Sequence, residues 1–212
     1  MLNIKRLGKV GLLSIAAALL LAPMAANATI LSGGMIIASP PSIGDNDIFT
    51  IDASGAYIQY GFDEVQNFTL TSAINVDGGG SIAAGTVVSS HMLFFNTQGF
   101  LDRTDEQSWT FDGLVLGTMS DRDGTLEAAS NSQLGAAGTV YPGSFRARGL
   151  EGGGDFIGFS GNSVNLTTHV TEPGDWVRVV TTGNAVPEPG TLLLLGTGLV
   201  GFAASRRRKK QG

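Results

Sequence analysis

The residues able to do chemistry are 18 Asp and Glu and 2 His; the chain has no Cys. The acids come in close sets: Asp45 with Asp47, Asp102 with Asp105 and Glu106, and Asp121-Arg122-Asp123-Gly124. Carboxylates spaced this tightly beside a glycine can offer oxygens to calcium, so Asp121 and Asp123 are the candidate metal ligands. That loop lacks the third acid and the closing Glu of an EF-hand, and Arg122 would set a cation beside the ion. Solvated loop charge is the competing reading. A pair drawn from Asp102, Asp105, Glu106, Asp121 and Asp123 could instead serve as acid and base on a glycosidic bond, which depends on their separation in space.

His91 and His169 each fall in a β-prone run. Neither accompanies a Gly-x-Ser-x-Gly elbow or a His-Glu-x-x-His pair, so packing or surface roles are expected for both. Gly196-Thr197-Gly198-Leu199-Val200-Gly201 matches the dinucleotide fingerprint letter for letter. That fingerprint works only between a strand and a helix, and here it lies inside an apolar run. No catalytic residue is assigned.

The elements that would carry these residues are short β-prone runs between Gly, Asn, Asp and Ser clusters. Expected strands are 48–51, 56–62, 68–73, 86–95, 108–111, 155–159, 163–170 and 176–181. The clearest alternation puts Val164, Leu166, Thr168 and Val170 on one face, and Asn165, Thr167 and His169 on the other. Residues 125–134 break the pattern with Ala, Leu, Glu and Gln at helical spacing, and Gly135 stands where that helix should stop. Many short strands with Gly-rich turns predict an all-β fold, a jelly-roll-like sandwich with one short helix.

Charge divides the chain in three. Residues 1–28 hold Lys5, Arg6 and Lys9 and no acid, and residues 186–212 hold five cations against Glu188. The middle, 29–185, carries five Arg, no Lys and 17 acids, a net charge of -12 against -5 for the whole chain. Such a domain cannot neutralise a phosphate backbone, which excludes nucleic-acid binding. The basic start, the apolar run from Val10 to Leu21 and the small residues Ala26 and Ala28 form a cleavable secretion signal, residues 1–28. Lys5-Arg6 is not a twin-Arg pair, so the Sec machinery and signal peptidase are the expected export partners.

After the exported domain, 29–185, come Val186-Pro187-Glu188-Pro189, the apolar run from Thr191 to Ala204, and Arg206-Arg207-Arg208-Lys209-Lys210. This resembles the PEP-CTERM sorting tail of exported proteins in Gram-negative bacteria. The same tail is also labelled ice-binding protein C-terminal domain, a label for the tail and not an activity of the chain. The resemblance implies recognition by an exosortase through Pro187, Glu188 and Pro189, and association with extracellular polysaccharide or biofilm matrix. The domain also resembles those of other PEP-CTERM proteins at Ser90-His91-Met92, Trp109-Thr110-Phe111-Asp112-Gly113 and Thr171-Glu172-Pro173-Gly174-Asp175-Trp176, which brings no activity with it.

A helix over the apolar run reaches about 21 Å against a hydrocarbon core of about 30 Å, so it spans with local thinning and snorkelling. The cation cluster from Arg206 to Lys210 stays cytoplasmic and turns the domain outward, to the periplasm and then to the surface or matrix. The expected protein is a non-enzymatic surface or matrix component without a cofactor. A carbohydrate-active hydrolase, or a calcium- or carbohydrate-binding module, is the alternative.

Overall fold

The computed structural model describes residues 29–171 and 174–183. The signal helix with Ala26 and Ala28, the motif Pro187-Glu188-Pro189, the spanning helix and the cluster from Arg206 to Lys210 lie outside the described residues.

In chain order the elements are β1 (Ile30–Ser32), β2 (Met35–Ile36), β3 (Tyr60–Asp63), β4 (Phe68–Thr69), β5 (Ile74–Val76), β6 (Gly80–Ile82), β7 (Val87–Asn96), β8 (Arg103–Phe111), β9 (Val115–Met119), α1 (Thr125–Leu134), β10 (Phe156–Ser160), β11 (Ser163–Val170) and β12 (Gly174–Thr182). They form an all-β sandwich. One sheet runs β1-β8-β11-β10; the other runs β2-β3-β7-β12-β9, with β4 beside β7; β5 and β6 make a small hairpin.

Alternation decides which side chains meet between the sheets. Val164 and Leu166 of β11 and Trp109 and Phe111 of β8 point inward, against Leu93 of β7 and Val177 and Val179 of β12. Trp109 fills a slot that only glycines leave open. A Cβ on Gly33 would lie 2.1 Å from its ring, and one on Gly61 2.6 Å. Its indole N–H donates to Gln59 Oε1 at 2.9 Å. The Gln59 amide in turn donates to Leu166 O and to Asp105 O, both at 3.0 Å, so one buried side chain joins loop and sheet.

The second sheet is covered on its other face as well. Met92, Phe94 and Trp176 pack against Ile43, Tyr60 and Phe62, while Val88, Met119 and Val180 pack against Leu70 and, from α1, Leu134. This third layer explains why both faces of β7 and β12 are buried.

Several expectations hold closely. The helix spans Thr125–Leu134 and ends at Gly135, whose N–H donates to Asn131 O at 3.0 Å. The strand expected over 163–170 is β11. The strand expected over 48–51 does not form: Thr50 bonds to Asn96 and Ile58, and Ile51 makes only an isolated bridge to Tyr57. The runs at 56–62 and 68–73 shorten to Tyr60–Asp63 and Phe68–Thr69. β8 starts at Arg103, five residues before the expected Ser108.

Candidate functional site

His91 stands between the sheets, fully buried. Its Nδ1 lies 2.7 Å from Asp63 Oδ1 and its Nε2 3.1 Å from Thr181 Oγ1, the order of contacts in a hydroxyl–imidazole–carboxylate triad. A nucleophile needs a substrate beside it, and Thr181 is buried inside β12 while Phe111 stacks on the imidazole at 4.7 Å. Asp63 Oδ1 also accepts the Ile30 N–H at 3.0 Å. His91, Asp63 and Thr181 belong to one sheet, and only the Asp63 bond to Ile30 of β1 crosses to the other, so the triad-like set is a packed polar tie. His169 lies on the outer face of β11, half-buried, with Nε2 3.0 Å from Asp102 Oδ1.

The acids singled out for chemistry are largely held by the backbone. Asp121 begins the helix: Oδ2 accepts the Thr125 N–H at 2.8 Å and Oδ1 the Leu126 N–H at 2.9 Å. Asp123 Oδ1 faces the Ala147 N–H at 3.4 Å. Asp105 points inward, where Oδ2 accepts the Gln59 N–H at 2.8 Å; Glu106, its neighbour on the strand, points to the outer face. The structure therefore separates Asp105 from Glu106 by strand alternation and turns Asp121 into its helix. Asp47 accepts from Ser42 Oγ at 2.5 Å. Burial pushes the Asp45 carboxyl above its usual range, only partly offset by a backbone hydrogen bond and by Arg148. Among the described residues no three His, Cys, Asp or Glu side chains gather as metal ligands.

The densest polar cluster lies under α1. Arg178, fully buried on β12, donates from Nε to Glu64 Oε2 at 2.7 Å and from Nη2 to Glu64 Oε1 at 2.6 Å. Its Nη1 reaches Glu127 O and Ser130 Oγ at 2.8 and 2.7 Å. Arg148 pairs with Glu127 and stacks over Trp176 at 4.8 Å. Burial opposes the Arg178 charge, but Glu64, together with Glu127 and Tyr141, outweighs it and raises the guanidinium's pKa. Burial and the same carboxylate push the Tyr141 phenol up. Sequence reasoning missed this cluster, although Arg178 interrupting Trp176 and Val180 on one strand face was its signal.

Two depressions run along α1. One of about 270 Å³ lies between 71–75 and the helix, where Gln133 Oε1 accepts from Thr71 N and Thr71 Oγ1. The other, about 390 Å³, lies between Asp77–Gly80, Asp121 and Leu126. The outer face of β8, β11 and β10 sets Glu106, Ser108 and Thr110 beside Thr167, Asn165 and Ser163, with Phe156 opposite Thr167. Short hydroxyl and amide groups around one exposed ring make a shallow polar platform.

Comparison with known proteins adds one finding beyond this geometry. Residues 185–208 match the PEP-CTERM protein-sorting motif, which takes in Pro187, Glu188 and Pro189 and reaches Arg208. No curated protein and no solved structure matches the chain. The chain thus carries a PEP-CTERM sorting signal, the mark of an exported protein that is transiently anchored in a membrane and processed by an exosortase.

Proposed function

We propose that this protein is a non-enzymatic component of the cell surface or extracellular matrix, associated with exopolysaccharide and biofilm. Its domain faces the periplasm while the tail is anchored. The sorting motif at 185–208 carries this reading, because it supports export and transient membrane anchoring, the first steps of such a route. The structure supports it through the roles its polar groups already fill. The His91 set is closed, Asp121 is bound to its helix, and Asp105 and Glu106 face opposite ways. A carbohydrate-binding role would use the platform of β8, β11 and β10, where a sugar face can stack on Phe156 and its hydroxyls meet Thr167 and Asn165.

Mass spectrometry of the mature protein, from strains with and without an exosortase, tests the route. The expected chain begins at Thr29 and, with the exosortase present, is cut near Pro187-Glu188-Pro189 and found in the matrix fraction. A chain still ending at Gly212 in both strains would rule out processing and leave a permanent anchor.

A further inference from the structure

Strand β10 closes one end of the four-stranded sheet. It pairs with β11 without a break from Phe156–Thr167 to Ser160–Ser163. On its other side its backbone N–H and C=O groups have no hydrogen-bond partner among the described residues. Such an open ladder is a template for another strand, and proteins usually blunt it with charge, proline, bulges or shortness. The other edges are blunted. β1 has three residues and an irregular register, and β2 has two residues. β9 is closed at its ends, where the Val115 N–H donates to Gly161 O and the Ser120 N–H to Asp77. β10 has none of these devices: Phe156-Ile157-Gly158-Phe159-Ser160 is regular, uncharged and free of proline. It also exposes two aromatic rings, Phe156 by 59% and Phe159 by 48%.

We propose that this edge is an interface between two copies of the chain, with β10 paired antiparallel to β10 of the partner about a two-fold axis at Gly158. The inference stands independently of the sugar-binding reading above. The strand is complementary to itself in this register. Ile157 and Phe159 lie on the inner face, the face of Leu166 and Val164, because paired residues share a face. Across the axis Ile157 meets Phe159 of the partner subunit, which extends the apolar layer from one core to the next. On the outer face Phe156 pairs with Ser160 of the partner subunit; its ring leans over its own Gly158, 3.1 Å from where a Cβ would stand, and the two glycines at the axis add no side chain of their own.

Charge selects this edge over the rest of the surface. Two domains of net charge -12 repel, so contact must fall on a neutral patch, and β10 carries no charge. Asp155, just outside the strand, falls opposite Gly161 of the partner subunit in this register, so no like charges face each other. The result is an isologous contact that closes at two copies and joins two four-stranded sheets into one.

The absence of cysteine makes the test clean. Gly158→Cys puts a thiol on the axis, and pairing brings its two copies to disulfide distance. Leu31→Cys puts an exposed thiol on the β1 edge of the same sheet. Full-length protein in detergent, oxidised with copper–phenanthroline, should give a covalent dimer for G158C and only monomer for L31C. Light scattering should show the wild type as a dimer, and Phe159→Lys should make it monomeric while tryptophan fluorescence reports an unchanged fold. A monomeric wild type, no cross-link at position 158, equal cross-linking of L31C, or a dimer that survives F159K would each overturn the proposal.

Discussion

Replacing Arg178 with Met tests the cluster under α1 most directly. The guanidinium holds both oxygens of Glu64, at 2.6 and 2.7 Å, and the Glu64 side chain is fully buried. Met fills the space of the stem but leaves that carboxylate without its cation. Nη1 also donates to Ser130 Oγ, which would lose that donor, and to Glu127 O, which would keep the Ser130 hydroxyl. Breaking one side of a buried ion pair costs about 3–5 kcal/mol. For a domain of this size each kcal/mol moves Tm by about 2–4 °C, so R178M should melt about 6–20 °C below wild type. The intrinsic fluorescence of Trp109 and Trp176 reads the transition, since both rings are buried and Trp176 lies beside Arg148 of the same cluster. Adding Glu64→Leu should recover part of the loss, because the stranded charge disappears with it. An R178M variant within about 2 °C of wild type would refute the reasoning and mean that water or a proton already relieves the pair.

Two further outcomes follow from the carboxylates. Asp121→Ala should cost about 1 kcal/mol, the worth of a helix cap, and the loss should be the same in EDTA and in millimolar calcium; a loss seen only with calcium would make Asp121 a metal ligand. Asp45→Asn and Asp52→Asn should depend on pH with opposite signs. Burial raises the Asp45 pKa, so its charge disfavours folding above that pKa and D45N should gain stability, by less than about 1 kcal/mol at neutral pH, the gain fading in acid. The hydrogen bond from Ser54, with backbone amides behind it, lowers the Asp52 pKa, so its contribution is present above the unfolded value and is lost as pH falls through the folded one. D52N should therefore lose stability at neutral pH and match wild type in strong acid; parallel pH profiles for the two variants would contradict these assignments.

The long elements were legible because their patterns are local. β11 shows four inward and four outward positions in strict alternation, and α1 has helical spacing with Gly135 at its end. The first half of β8 was hidden because its inward positions, Asp105 and Gln107, are polar; Gln59 makes that burial tolerable by donating its N–H to Asp105. Residues 48–51 have the composition of a strand, yet their bonds go singly to Asn96 and Ile58, a tie that only tertiary contact decides. Strands of two or three residues, such as β2 and β4, carry too few positions to show a period. The sorting motif was readable because it is a linear string that needs no fold. The ion cluster needed three distant segments, around Glu64, Glu127 and Arg178, and no spacing along the chain announces that meeting.

The acidic excess has a structural reading that joins fold to location. Exported domains commonly close their loops with disulfides, and this chain has no cysteine. Carboxylates make the long-range ties instead. Asp112 accepts the Thr29 N–H across 83 positions, Asp105 the Gln59 N–H across 46, and Asp77 the Ser120 N–H across 43. Asp63 adds the Ile30 N–H across 33. Such bonds differ from disulfides in one respect: they vanish on unfolding, so they act only on the native state and leave the unfolded chain unconstrained. Salt screens the exposed ones. Thr29 and Ile30, where β1 begins, are held by Asp112 and Asp63, which ties β1 to the distant β3 and β8 segments. These four bonds cross-link the native domain with no thiol chemistry.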